Sequence, residues 1–179
     1  MANQNTPIDI LALHDAILNA VTAAFPIFAT VDDYPVDHNV KAVPAFFLDM
    51  EEMHQSNDMD AEDGTVPVEF RFCGRIVMAS NTPTVGRTIR ALALALGALI
   101  NKSRFGMPIN AAIFEGAFPD AFSPALDQYT VWRVEWRMVG FGGASVWLDT
   151  SEPIKGMTFH YSFAPDIGIP FKDEYQVAD

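Results

Sequence analysis

The chain has 179 residues and a mass of 19.7 kDa, with 50% hydrophobic and 19% charged positions, 23 acidic against 11 basic side chains and a formal net charge of −12. That length suits one globular domain with its own core, the acidity opposes non-specific binding to nucleic-acid phosphates, and the lone cysteine, Cys73, excludes an intrachain disulfide and a multi-cysteine zinc site. The opening residues, MANQNTPID, carry neither the basic nor the apolar segment of a signal peptide, and the longest nearly unbroken apolar run, residues 91–100, is about half a bilayer span, so neither export nor membrane insertion is expected.

Thr6-Pro7-Ile8-Asp9 reads as a helix start: a capping hydroxyl, a proline at the first helical position and an acid in the first turn. Ile10, Leu13, Ile17, Val21 and Ala24 recur at steps of three and four, so this helix turns one apolar stripe inward until Pro26 ends it. Residues 27–31 and 43–50 are β-branched and aromatic runs separated by a turn-rich stretch, which predicts two strands joined as a hairpin. Residues 51–64 follow, where Glu51, Glu52, Asp58, Asp60, Glu62 and Asp63 crowd a segment poor in large apolar groups; an exposed, mobile loop is expected.

From Val66 the chain alternates with period two. Val66, Val68, Phe70, Phe72, Ile76 and Met78 share one parity and Glu69, Arg71, Cys73 and Arg75 the other, which predicts a long half-buried strand with a possible bend at Gly74. Thr82-Pro83-Thr84 repeats the helix-start signal, for a second helix running to about Lys102. Because residues 91–100 are apolar on every side, this helix is expected to be sandwiched between layers, and Leu94→Asp to abolish soluble expression. A short strand is expected near residues 111–114, then a loop at 119–124. Residues 127–141 alternate again: Trp132, Val134, Trp136 and Met138 share one face, while Arg133, Glu135 and Arg137 share the other and are spaced to pair across neighbouring strands or subunits. The order of elements predicts an α+β domain over residues 1–145, a mixed or mostly antiparallel sheet with two main helices packed on it. Residues 146–179, punctuated by proline and glycine, read as an extended C-terminal arm.

No catalytic pattern stands out. Asp58, Asp60, Glu62 and Glu69 fall at the ligand spacing of a twelve-residue calcium loop, but Asp63 occupies the position that needs glycine and a strand follows, so a solvated acidic loop is favoured. His14, His38, His54 and His160 form no HxxxH or HxH pair, and His14 reads as a surface or core-edge residue. The arginines near Cys73 would lower its pKa, yet no orienting histidine accompanies it, and an inert thiol is favoured. Gly140-Phe141-Gly142-Gly143 lacks the spacing of a phosphate cradle and reads as a strand exit, and Arg87 and Arg90 as a salt-bridged helix surface. Asn101-Lys102-Ser103 matches a glycosylation sequon without a secretion signal to make it usable. A hotdog thioesterase, in which a sheet wraps a central helix bordering an acid or base, is the enzyme alternative. It is disfavoured because residues 84–100 contain no Asp, Glu or His. Neither catalysis nor a cofactor or metal ion is expected.

The ordered segments together resemble the tail terminator, or tail completion, proteins of tailed bacteriophages. The likeness is carried by the first helix, IDILALHDAILNAVTAAFP, the strand VPAFFLDMEEM leading into the acidic stretch, and the strand VEFRFCGRIVMAS running into TVGRTIRALALALGALINK. The late strand YTVWRVEWRMVGFGG completes it. The resemblance covers residues 6–150, and head-completion and other neck proteins share its texture. It implies a homohexameric ring in the virion neck, assembled in the host cytoplasm, that caps the tail tube, ends its growth and docks to the head connector. DNA would pass through without sequence-specific contact. On that reading Glu51, Glu52, Asp58, Asp60, Glu62, Asp63, Arg133, Glu135, Arg137 and the C-terminal arm lie at partner faces or in the lumen, where acidity repels DNA.

Overall fold

Asp9, rather than Thr6, caps the first helix. In the computed structural model, which describes residues 6–34, 42–56, 64–120, 129–144, 160–161 and 176–177, α1 spans Ile10–Ala24 and the Asp9 carboxylate accepts from the amides of Leu11 and Ala12 at 3.0 and 3.1 Å. Pro7 sits upstream in a bridge to Phe141, and the Ile8 amide donates to the Phe141 carbonyl at 2.8 Å, so the Thr-Pro signal marks an extended lead-in. The predicted stripe is realised as buried Leu13, Ile17 and Val21, and Phe25 caps the helix ahead of Pro26.

The sheet is five-stranded and mixed. Its strands are β1 (Thr30–Asp33), β2 (Ala45–Gln55), β3 (Val66–Ala79), β4 (Ile113–Pro119) and β5 (Tyr129–Gly142), in the order β1-β2-β3-β5-β4. The hairpin expected from residues 27–31 and 43–50 is not formed: β1 runs parallel to β2, with Thr30 opposite Ala45, while the other pairs are antiparallel. Nor is residue 51 the start of a loop. Residues 51–55 continue β2, because Glu52, His54 and Gln55 pair in register with Arg71, Glu69 and Val68 of β3. The short strand expected at 111–114 is β4, displaced towards Pro119.

Both helices cover one face. Leu13, Ile17 and Val21 of α1, and Ile89, Ala93, Leu96 and Ile100 of α2 (Val85–Ile100), enclose a single core with Phe46, Leu48, Phe70, Phe72, Ile76, Met78, Val134, Trp136 and Met138. These are the parities that the alternation of β3 and β5 assigns inward. The result is the predicted α+β class, a mixed sheet with two helices.

Two expectations about α2 are corrected. Thr84 precedes it in the left-handed region, φ 59°, with no side-chain cap, so the Thr-Pro pair makes a turn rather than a cap; the helix ends at Ile100, close to the expected end. It is not sandwiched: Leu94 is 72% exposed, and Ala91, Ala95 and Ala98 are exposed with it. Leu94→Asp therefore buries no charge. The chain divides into two compact units, Met1–Val146 and Trp147–Asp179. In the second, β6 (His160–Tyr161) and β7 (Gln176–Val177) form an antiparallel pair; the remainder of the expected arm lies outside the described residues. Among the described residues no helix is long and apolar enough to cross a membrane.

Candidate functional site

The helix-free face of the sheet gathers most of the described charge. Antiparallel register sets Arg71 opposite Arg137 and Arg75 opposite Arg133, an arrangement that repels when like charges face each other directly. Each arginine therefore reaches sideways to an acid. Arg137 donates to Glu69 at 2.8 Å and reaches Glu115 at 3.2 Å; Arg71 pairs with Glu69 at 3.2 Å and approaches Glu52 at 3.9 Å. Arg75 holds Glu51 at 2.9 Å, Asp120 at 3.0 Å and Asp49, and Arg133 pairs with Glu135 and lies 4.0 Å from Glu51.

Two β-bulges supply the extra carboxylates. The register of β2 slips between Met50 and Glu52, and that of β4 between Phe114 and Gly116. Strict alternation would turn one of the adjacent Glu51 and Glu52 inward; the bulge lets both meet arginines on the same face. Glu115 is the corresponding extra residue in β4. Between them lies a shallow cleft of about 140 Å³ lined by Glu51, Glu52, Arg71, Glu115, Arg133 and Glu135, with Phe72 and Trp136.

Of the residues singled out from sequence, Glu51, Glu52, Arg133, Glu135 and Arg137 are thus brought together; Arg133 and Arg137 reach acids of neighbouring strands, while Glu135 pairs with Arg133 within β5. Asp58, Asp60, Glu62 and Asp63 lie outside the described residues. Asp49, Glu69, Arg71, Arg75, Glu115 and Asp120 also belong to this face. The parity of β3 already pointed to Glu69, Arg71 and Arg75, but no local signal joins Asp120 to Arg75 across 45 positions.

The hydrogen bond from Arg137 holds the Glu69 carboxyl below the usual glutamate range, and that from His54 does the same for Glu52. A carboxyl with a depressed folded-state pKa contributes stability that is complete above the ordinary glutamate value, about 4.3, and is lost as pH falls through the folded value. Arg137→Met removes the main cause at Glu69. Thermal melting followed between about pH 5 and about pH 3 should therefore fall less steeply in the variant than in wild type; parallel slopes would contradict the assignment.

Cys73 corrects the expectation of a lowered thiol pKa. It is fully buried, and desolvation, followed by the Glu51 charge, pushes the thiol up to about 12. His14 lies on the other side of the sheet, edge-on to Phe72, so the two form no nucleophile–base pair. Its Nδ1 is 2.7 Å from the Ile10 carbonyl oxygen, which can only accept, so Nδ1 carries the proton. Nε2 then accepts from the Tyr34 hydroxyl at 2.8 Å, and that oxygen accepts from the Met50 amide at 3.1 Å. Both ring nitrogens are occupied, which leaves no lone pair for a metal and makes His14 a buried tie between α1, Tyr34 and β2. Among the described residues no group of three or more His, Cys, Asp or Glu side chains is placed to hold a metal ion. No protein-family model matches the chain, and no curated protein matches it.

Proposed function

We propose that the protein is an assembly component of the bacteriophage neck: a ring that caps the tail tube, stops its elongation and offers the head connector a docking surface. The observation that carries this reading is the sheet's helix-free face, where Arg71, Arg75, Arg133 and Arg137 each share carboxylates from other strands. Such a network pairs each of its four arginines with carboxylates and commits those groups to holding shape rather than to proton transfer. The resemblance in element order, from the first helix to the late strand, supports the same reading. Termination needs only asymmetry, one ring face that accepts the tube and an opposite face to which no further tube ring adds. The tail tube protein and the connector are the proposed partners, and the virion neck is the proposed location. The strong acidity suits a channel that DNA traverses without adhering.

The test is to add the purified protein to polymerising cognate tube subunits and measure tube lengths by electron microscopy. Tubes should become shorter as the ratio of protein to subunit rises. Unchanged elongation at molar excess rejects termination.

A further inference from the structure

We infer that the exposed face of α2 is a docking surface for an acidic amphipathic helix of a partner protein. Such docking goes beyond tube capping and does not require it.

Arg87, Ala91, Leu94, Ala98 and Lys102 follow one another at helical spacing along the side of α2 turned away from the sheet, with Arg90 and Ala95 beside them, and all are exposed. A single exposed leucine is ordinary. Here, though, Leu94 stands among alanines, and the solvent side of the helix carries no charge between Arg90 and Lys102, where charged side chains are normally concentrated. Charge then says what covers the strip. The chain has 23 acids to 11 bases, yet no Asp or Glu occurs between Glu69 and Glu115. Arg87, Lys102 and Arg104 form no ion pair among the described residues, and Arg90 lies over the Trp132 ring, 4.9 Å from its centroid, and donates to the Gly86 carbonyl. The sheet arginines, Arg71, Arg75, Arg133 and Arg137, all have carboxylate partners. Cations left without acids are thus gathered on this one helix and just past its end.

The complementary surface carries acids at both ends and small or apolar side chains between them. At the rise of an α-helix, Arg87 and Lys102 stand about 22 Å apart along the axis, a span that a partner helix of four turns matches. The alanines allow close approach, toward the short end of the usual interaxial range of about 8–10 Å, and Leu94 fills the groove between the partner's side-chain ridges. A nucleic-acid backbone fits less well, because its closely spaced phosphates would cross the uncharged middle of the strip. An anionic bilayer fits less well too, since a helix lying in a membrane surface sinks bulky apolar residues rather than alanines.

Fluorescence anisotropy tests this with the full chain and two labelled synthetic helices: one with alanine and leucine along one face and glutamate at both ends of that face, the other with lysine in place of glutamate. Wild type should bind the glutamate peptide, and more weakly as salt rises. Leu94→Asp should weaken that binding about tenfold or more, because the new carboxylate meets apolar side chains in the complex. Arg87→Glu with Lys102→Glu should reverse the preference, releasing the glutamate peptide and taking up the lysine one. All three positions are exposed, so the variants should melt with wild type; if Leu94→Asp melts early, the charge-reversed pair decides alone. No binding of the glutamate peptide, equal binding of both peptides by wild type, or binding undiminished in the variants overturns the docking surface. Tighter binding of a DNA duplex or of phosphatidylserine vesicles, lost in the same variants, overturns the helical partner and assigns the cations to phosphate. A wild-type mass above 19.7 kDa in light scattering that falls to 19.7 kDa in Leu94→Asp overturns it in favour of a second copy.

Discussion

Trp136→Ala is expected to destabilise the fold by about 3–5 kcal/mol, the range for deleting a fully buried large aromatic. At about 2–4 °C per kcal/mol for a domain of this size, the melting midpoint should drop by about 6–20 °C. Trp136 has no exposed surface and stacks on Phe72 with ring centroids 5.5 Å apart and planes 11° from parallel. It stands on β5 directly opposite Phe72 of β3 and Phe114 of β4, at the centre of the sheet under α2. Removing it leaves a cavity that three strands and a helix would have to collapse together to fill. Urea unfolding monitored by circular dichroism measures the loss. A loss below about 1.5 kcal/mol, the scale of a volume-conserving swap, would mean that the site relaxes freely and is not the centre of the core.

Gly74→Ala should also be costly, by overcrowding. A Cβ at position 74 would stand 2.6 Å from Cε2 of Phe46 and 3.2 Å from Cζ3 of Trp136, both fully buried rings. The alternation of β3 continues unbroken through this residue, with Phe72 and Ile76 inward on either side. Gly74 is therefore a close-approach position rather than the bend that its identity suggests. The expected cost is about 1–3 kcal/mol, typical of an added methyl group in a packed core. Phe46→Leu removes the ring atoms nearest the new methyl, so the double variant should lose less than the sum of the singles, with a coupling of about 0.5–3 kcal/mol. Strict additivity in a double-mutant cycle would show that the clash is relieved elsewhere.

These two positions show what could and could not be read in advance. The inward parity of Trp136 follows from the alternation of Trp132, Val134, Trp136 and Met138 with Arg133, Glu135 and Arg137. That glycine rather than alanine belongs at position 74 depends on Phe46, 28 positions earlier and on another strand. The charged face divides the same way. Its arginines are visible in the alternation, but which acid meets which arginine follows from two bulges and from Asp120, none of which leaves a local mark.

The amino-acid order alone determined where β3 and β5 lie and which side of each turns inward, the buried stripe of α1, and the α+β class, because the first three are periodicities contained within single elements and the class follows from their order. Tertiary structure decided that β1 runs parallel to β2, that the acids at 51 and 52 belong to a strand, and that Leu94 faces outward. Strand direction and register depend on partners distant in the chain, and the all-apolar run 91–100 of α2 leaves only Arg87 and Arg90, at its start, to mark the side that the sheet does not cover.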